Sequence, residues 1–275
     1  MPRPPGVISD SSTTMSTASR AGPHLLTRTL RRDRLLVAAG LLGITALSWV
    51  YIIHMGRSMS PDQAMPMPMP GNGPALVWLI PMWIVMMVAM MVPSAAPMIL
   101  LFATVAGQRR ARGVATASAW VFTAGYLLAW ALYATMAATI QAWLHRQALL
   151  SPTMSSANPL LAGGLLVLAG VYQLLPAKGA CLSHCRSPLS FFSSHWREGV
   201  SGALRMGFQH GTYCVGCCWA LMVLLFVAGV MNLLWVATIA IFVLIEKLVP
   251  AGRRIGQVTG TLLIAWGIWI LVATG

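Results

Sequence analysis

The sequence predicts an all-α fold, a polytopic transmembrane helical bundle of about seven spans. Hydrophobic residues make up 57% of the 275 positions and charged residues only 8%, whereas a soluble domain averages about 25% charged residues. Apolar runs near the roughly 20 residues that a membrane helix needs recur along the whole chain. Basic residues fall in the short segments between these runs. Together these observations favour one membrane domain over a pair of soluble domains.

The N-terminal segment is the part of the chain that does not follow the apolar pattern. Residues 1–34 are rich in Ser, Thr, Pro and Arg, a composition typical of disorder. We expect a disordered basic cytoplasmic tail at 1–34 and a transmembrane helical domain at 35–275. The basic stretch is long and no A-x-A site follows the first apolar run, which favours an uncleaved span over a signal peptide.

Seven apolar runs predict the spans. They are Leu35–Ile53, Ala75–Ala103, Val114–Trp143, Pro159–Pro176, Met206–Val230, Leu233–Val249 and Ile255–Thr274. The second run contains Pro81, Pro93 and Pro97. Because each proline removes a backbone donor, this span is expected to be kinked and to line a pathway.

The basic residues predict the orientation of the bundle. Sixteen Lys and Arg fall in the tail and in alternate connections, and only Arg57 and Arg146 fall on the other side. Positive charge is retained on the cytoplasmic side, so the N-terminus is expected inside and the C-terminus outside. This distribution points to a multi-pass protein of the bacterial inner membrane. It also accounts for the net charge of +13 without a nucleic-acid partner.

All five cysteines fall in two groups that also contain histidine. The upstream group, CLSHCR, lies in a predicted inner loop at 177–205, and the second, HGTYCVGCCWALM, lies in the fifth apolar run. The second group shares one helical face. Thiolate and imidazole are ligands of copper(I), with zinc as the alternative. The candidate ligands are Cys181, His184, Cys185, His210, Cys214, Cys217 and Cys218.

Each group also has a simpler interpretation. Free cysteine packs as a small buried hydrophobe, but an ionisable residue such as His210 is rare in a membrane span and usually functional. A ligand or redox role is therefore favoured for the second group. For the first group, an assembled metal site and a loose loop with unrelated thiols stay equally open. If both groups bind one ion, they must converge near the inner leaflet.

Methionines supply a second class of soft ligand. Met65, Met67 and Met69 lie in a Pro-broken outer loop at 54–74, and Met82, Met86 and Met90 repeat every four residues in the second run. Methionine in an apolar helix is usually core filling, but thioethers also select copper(I). Glu246 is a further candidate, either as a proton or cation site or simply paired with Lys247 or extended to water.

Several unusual strings resemble the DUF2182 family, bacterial integral membrane proteins predicted to bind metal. The strings are MWIVMMVAMMVPSAAPM, GVYQLLPAKGACLSHCRSPLSFF, HGTYCVGCCWALM, GVMNLLWV and EKLVP, in this order from residue 82 to residue 250. The resemblance implies a shared pattern comprising Cys181, Cys185, His210, Cys214, Cys217, Cys218, Met82, Met86, Met87, Met90, Met91 and Glu246. It implies metal binding and leaves the mechanism open.

The leading hypothesis is a soft-metal protein that binds copper(I) and moves or delivers it across the membrane. One alternative is a thiol–disulfide electron carrier that uses Cys214 and Cys217, and another is a structural accessory subunit of a membrane complex. The sequence has five acidic residues and no recognisable catalytic triad, which disfavours an enzyme. Expected partners are the lipid bilayer, the metal ion, a metallochaperone or metalloenzyme client, and a second copy of the chain.

Overall fold

The computed structural model describes residues 22–58, 76–147, 149–150, 158–230 and 232–274, and within these ranges the protein is helical with no β-strand. The helices in chain order are α1 (Gly22–Ser58), α2 (Leu76–Ala111), α3 (Ala119–Arg146), α4 (Pro159–Leu174), α5 (Pro176–Arg186), α6 (Pro188–His195), α7 (Gly199–Val223), α8 (Leu225–Ala228), α9 (Leu233–Leu248) and α10 (Gly252–Thr274). The predicted all-α fold class is confirmed.

Fewer helices than the seven expected are long and apolar enough to cross a membrane. Among the residues that the structure describes there are five such segments: residues 31–57 of α1, then α2, α3, α7 together with α8, and α10. A sixth forms if α4 and α5, which bend by 63° at their junction, count as one span. Helix α9 has only 16 residues, about 24 Å at 1.5 Å per residue, and the hydrocarbon core is about 30 Å thick.

The predicted inner loop at 177–205 is wrong as a loop, because α5, α6 and the start of α7 occupy most of it. Pro176 and Pro188 each lie in the first turn of their helix, where proline costs no hydrogen bond and its backbone angle is already helical. The prolines therefore begin two short helices here. The cysteine group at 181–185 consequently lies on a helix that can be held against its neighbours.

The N-terminal boundaries also differ from those expected. Helix α1 begins at Gly22, upstream of Leu35, because the Leu- and Arg-rich segment after Pro23 favours helix. Its end at Ser58 takes in the first part of the predicted outer loop at 54–74. The remainder of that loop, with Met65, Met67 and Met69, lies outside the described residues, as does the tail before residue 22.

Two glycine-lined helix pairs form most of the bundle. Helices α3 and α7 run parallel, with Gly207 against the backbone of Phe122 and Gly211 against that of Tyr126. Helices α4 and α10 run antiparallel, with Gly170 against Gly260. Close backbone approach through small residues is the usual packing of membrane helices. The α3–α7 pair matters most here, because α7 carries three of the five cysteines.

One end of the bundle gathers segments that were predicted to lie on the same side. Arg109, at the end of α2, forms an ion pair with Glu198 at 3.0 Å and lies 4.5 Å above the ring of Trp196. Thr116, before α3, donates a hydrogen bond of 3.0 Å to the carbonyl of Ala106. The helices therefore alternate in direction as the predicted topology requires, and the side of the membrane that this end faces stays a prediction.

Candidate metal centre

The two cysteine groups meet in the interior of the bundle. Cys214, Cys217 and Cys218 on α7 are each 1% exposed. The Sγ of Cys185, on α5, lies 3.9 Å from the Sγ of Cys217, and the thiols of Cys217 and Cys218 donate to the backbone carbonyl of Cys214 at 3.1 and 3.0 Å. We call these four residues the thiol cluster. The expected convergence of thiols from separate segments is present in the structure.

Helix α5 reaches the cluster because the chain bends just before it. The 63° bend between α4 and α5 turns α5 across α7, and the hydroxyl of Tyr172 donates a hydrogen bond to the carbonyl of Gly216. A Cβ at Gly216 would lie only 2.9 Å from the Sγ of Cys181. The glycine therefore provides the room for Cys181 beside α7, and Cys185 lies one helical turn further along.

The thioether at the cluster comes from Met91, on α2. The Sγ of Cys218 lies 3.8 Å from the Sδ of Met91. The hydroxyl of Tyr126 donates to the Met91 carbonyl at 3.2 Å and lies 3.1 Å from the Sγ of Cys214. Sulfur atoms from α2, α5 and α7 thus lie in one region.

The predicted Met82, Met86 and Met90 stripe is buried in the hydrophobic core of the bundle, with exposures of 5%, 2% and 2%. Met90 and Met91 differ by about 100° around α2. Contact with the thiol cluster therefore runs through the neighbouring face, which Met91 occupies. The sequence analysis named Met91 only through the family resemblance, because the periodicity of a wholly apolar helix does not reveal which face packs against which neighbour.

Lys247 is the residue of the centre that the sequence analysis missed. It is 7% exposed, near the end of α9. Its Nζ lies 2.9 Å from the Sγ of Cys214 and 3.0 Å from the Oγ of Ser94. A lysine inside an apolar helix was the available signal, since charged side chains in such helices have a partner within the protein.

Glu246 pairs with Lys178 rather than with Lys247. The Nζ of Lys178 lies 2.6 and 2.8 Å from the two carboxylate oxygens of Glu246 and also donates to the side-chain carbonyl of Gln173. Of the alternatives left open for Glu246, the pairing with Lys247 is therefore not the one found. A cavity of about 20 Å³ adjoins the Lys178–Glu246 pair, which is room for about one water molecule. The two neighbouring residues of α9 thus face different partners.

The histidines differ in their surroundings. His210 is 3% exposed, its ring lies 5.8 Å from that of Tyr126, and its Nδ1 has no hydrogen-bond partner among the described residues. It lies one turn before Cys214 on α7. The ring of His184 stacks on Tyr213 with a centroid distance of 4.4 Å, and its Nδ1 lies 2.9 Å from the carbonyl of Ala180 on its own helix. His210 is therefore the better placed of the two histidines to serve as a ligand beside the thiol cluster.

The arrangement does not form a closed tetrahedral site. Across the ranges that the structure describes, no three Cys, His, Asp or Glu side chains surround a common point as ligands of one ion. Lys247 and Tyr126 both contact the Cys214 sulfur. These contacts take up positions around this sulfur that other metal ligands would need. The cluster instead offers pairs of sulfur atoms, Cys185 with Cys217 and Cys218 with Met91. Sulfur pairs suit a soft ion better than they suit zinc, which takes four ligands in structural sites.

The fold and the site define a helical membrane protein with a buried cluster of thiols, one thioether and one lysine. A family model described as "PpoB2: Copper chaperone" matches residues 80–270, which is more than half of the chain. The chain belongs to this copper chaperone family. No curated protein and no solved structure matches the chain. The family carries a different name from DUF2182, so the resemblance is confirmed as far as a metal-related family.

Proposed function

We propose that this chain is a membrane-embedded copper chaperone that holds copper(I) in the thiol cluster and passes it to a client protein. The observation that carries the proposal is the 3.9 Å contact between Cys185 and Cys217, which joins thiols from two helices. Membership of a copper chaperone family supports copper as the cargo. Thiolates and thioethers favour copper(I) over harder ions, so zinc is the less suitable cargo.

The route of the ion follows from the distribution of soft ligands. In this proposal Met65, Met67 and Met69 collect copper on the outer side of a bacterial inner membrane, and the buried methionines of α2 pass it inward. Thioethers suit an oxidising compartment, since they bind without deprotonation, and the thiols lie where the cytosol keeps them reduced. His210 and Cys181, beside the cluster, are proposed as accessory ligands. A metallochaperone or a metalloenzyme is the expected client.

The first test is the copper content of the purified protein. We expect wild type, loaded with copper(I) under reducing conditions, to retain about one ion per chain. The double variant Cys214→Ser/Cys217→Ser should retain at least about tenfold less copper, because a hydroxyl is a hard and poor ligand for copper(I). Elemental analysis of the detergent-purified proteins measures both.

Cys181→Ser is a graded comparison, since it removes one proposed accessory thiol that lies outside the thiol cluster. We expect it to lose less copper than the double variant loses. Equal copper in wild type and in the double variant would remove the proposal.

A second candidate function is a thiol–disulfide carrier, and the same contact favours it. The Sγ atoms of Cys185 and Cys217 lie 3.9 Å apart, and a disulfide bond is about 2.05 Å long. A small movement of α5 against α7 would bring the two sulfurs into bonding distance. A carrier would form mixed disulfides with its partner, which the variant Cys217→Ser should trap by leaving Cys185 without its neighbour. Stoichiometric copper without any such adduct decides for the chaperone.

A further inference from the structure

Lys247 has an environment that calls for a specific anionic partner. It is 7% exposed in an otherwise apolar helix. The two ion pairs found in the described part of the chain are Lys178–Glu246 and Arg109–Glu198, so the neighbouring carboxylate of Glu246 is already engaged. A buried charge in a membrane protein needs a counter-charge. The nearest atom that can supply one is the Cys214 sulfur, at 2.9 Å.

The position of Lys247 is held from several sides. Glu246, the preceding residue, is anchored by Lys178, and a Cβ at Gly252 would overlap the carbonyl of Glu246, so the end of α9 is tightly packed. Ser94 holds the ammonium from the opposite side at 3.0 Å. The ammonium group of Lys247 is therefore held within the centre and cannot extend to water.

We propose that Lys247 is a specificity-determining residue, whose fixed positive charge makes the thiol cluster select monovalent soft ions over divalent ones. This inference rests on the proposed function, because it concerns the ion that the same cluster holds. Lys247 itself does not bind the metal. It acts as the counter-charge of the complex that the thiolates form.

The selectivity follows from the charge of the possible complexes. A monovalent ion held by the Cys214 thiolate and one neighbouring thiolate leaves one net negative charge, which the ammonium of Lys247, 2.9 Å from the Cys214 sulfur, balances. A divalent ion held by the same two thiolates is already neutral, so the ammonium would be left without a counter-charge. Charge imbalance is costly in a low-dielectric interior, where electrostatic energies are much larger than in water. The lysine therefore favours the monovalent complex and disfavours the divalent one.

The test compares two soft, closed-shell ions that differ in charge, silver(I) and cadmium(II). Purified wild-type protein is loaded with both ions in competition, and the bound ratio of silver to cadmium is measured by elemental analysis. In Lys247→Leu, which removes the charge and adds no sulfur, we expect this ratio to fall at least about tenfold, which corresponds to about 1.4 kcal/mol. Lys247→Arg keeps the charge and should keep the ratio within about threefold of wild type.

Ser94→Ala is the matched control, because it removes the other hydrogen-bond partner of Lys247 and leaves the charge in place. We expect its silver-to-cadmium ratio to change much less than that of Lys247→Leu. If Lys247→Leu does not fold, Lys247→Gln serves the same comparison, because its amide is neutral and can still bond Ser94.

The outcomes separate this inference from the proposed function. An unchanged ratio in the neutral variants, with wild type still binding copper(I), overturns the role of Lys247 and leaves the chaperone proposal standing. Wild-type protein that binds neither copper(I) nor silver(I) overturns both. A fall of the ratio in Ser94→Ala as large as that in Lys247→Leu also overturns the role of charge, because the fall would then follow from lost packing.

Discussion

Met91 shows at the level of a single residue how the structure refines the ligand set. Its thioether lies 3.8 Å from the thiol of Cys218, and its carbonyl accepts the hydroxyl of Tyr126. The methionines of α2 are almost all buried, so burial alone cannot separate ligands from core filling. Contact with the thiol cluster does separate the two roles, and it identifies Met91 as the thioether to test.

We predict that Met91→Leu lowers copper(I) affinity about fivefold, or about 1 kcal/mol. Leucine has a similar volume and should cost less than about 1.5 kcal/mol of stability, so the protein should remain folded while it loses the sulfur. Competition with a copper(I) chelator measures the affinity.

Met86→Leu is the control for this change, being as buried as Met91 but one turn and one face removed from the thiol contact. It should bind copper(I) as wild type does. Equal losses in Met86→Leu and Met91→Leu would contradict a specific role for Met91.

At the level of secondary structure, the close packing of α3 against α7 positions the thiol cluster. Gly207 lies where α7 approaches closest to α3, and a Cβ there would overlap the carbonyl oxygen of Phe122. A backbone atom cannot move aside as a flexible side chain can. Because Cys214 lies two turns further along α7, the packing at Gly207 also fixes the position of its sulfur.

We predict that Gly207→Ala destabilises the protein by about 1–3 kcal/mol, the usual cost of overpacking. Thermal unfolding in detergent, followed by circular dichroism, measures this change. Gly164→Ala is the control, since a Cβ at Gly164 would meet nothing within 4 Å, and it should unfold at the wild-type temperature. A wild-type unfolding temperature for Gly207→Ala would contradict the close α3–α7 packing.

The sequence predicts the helices better than it predicts how they meet. Apolar runs located every long helix, because span length and hydrophobicity are local properties. The short helices at 176–195 were missed, since Pro176 and Pro188 were not recognised as helix starts. The pairing of Lys247 with Cys214 was missed as well. It depends on the direction in which α9 packs, and an all-round apolar helix does not reveal that.

The alternation of helix direction is a property of the whole molecule. Two of the segments predicted to be cytoplasmic, after α2 and before α7, meet at one end of the bundle, where Arg109 pairs with Glu198. Lysine and arginine excess in short connections sets orientation. The shortness of α9 does not change this alternation, since α10 begins beside Glu246 and returns along α4.

We predict that a reporter fused after Thr274 lies outside the cytoplasm and that one fused after Ala111 lies inside it. Alkaline phosphatase, which is active only outside, and green fluorescent protein, which fluoresces only inside, give complementary readings. Fluorescence from the fusion after Thr274 would show that α9 does not cross and would reverse the C-terminal half of the topology.

The metal centre comprises the thiol cluster, Met91 and Lys247, and these parts are synthesised far apart in time. Met91 emerges from the ribosome with α2, the cysteines follow on α5 and α7, and Lys247 comes last, on α9. No nascent chain that ends before α9 holds the thiols together with this lysine, so the centre is complete only when nearly the whole membrane domain has been made. A product truncated before α9 would contain the thiols without the positive charge that lies 2.9 Å from Cys214 in the full chain.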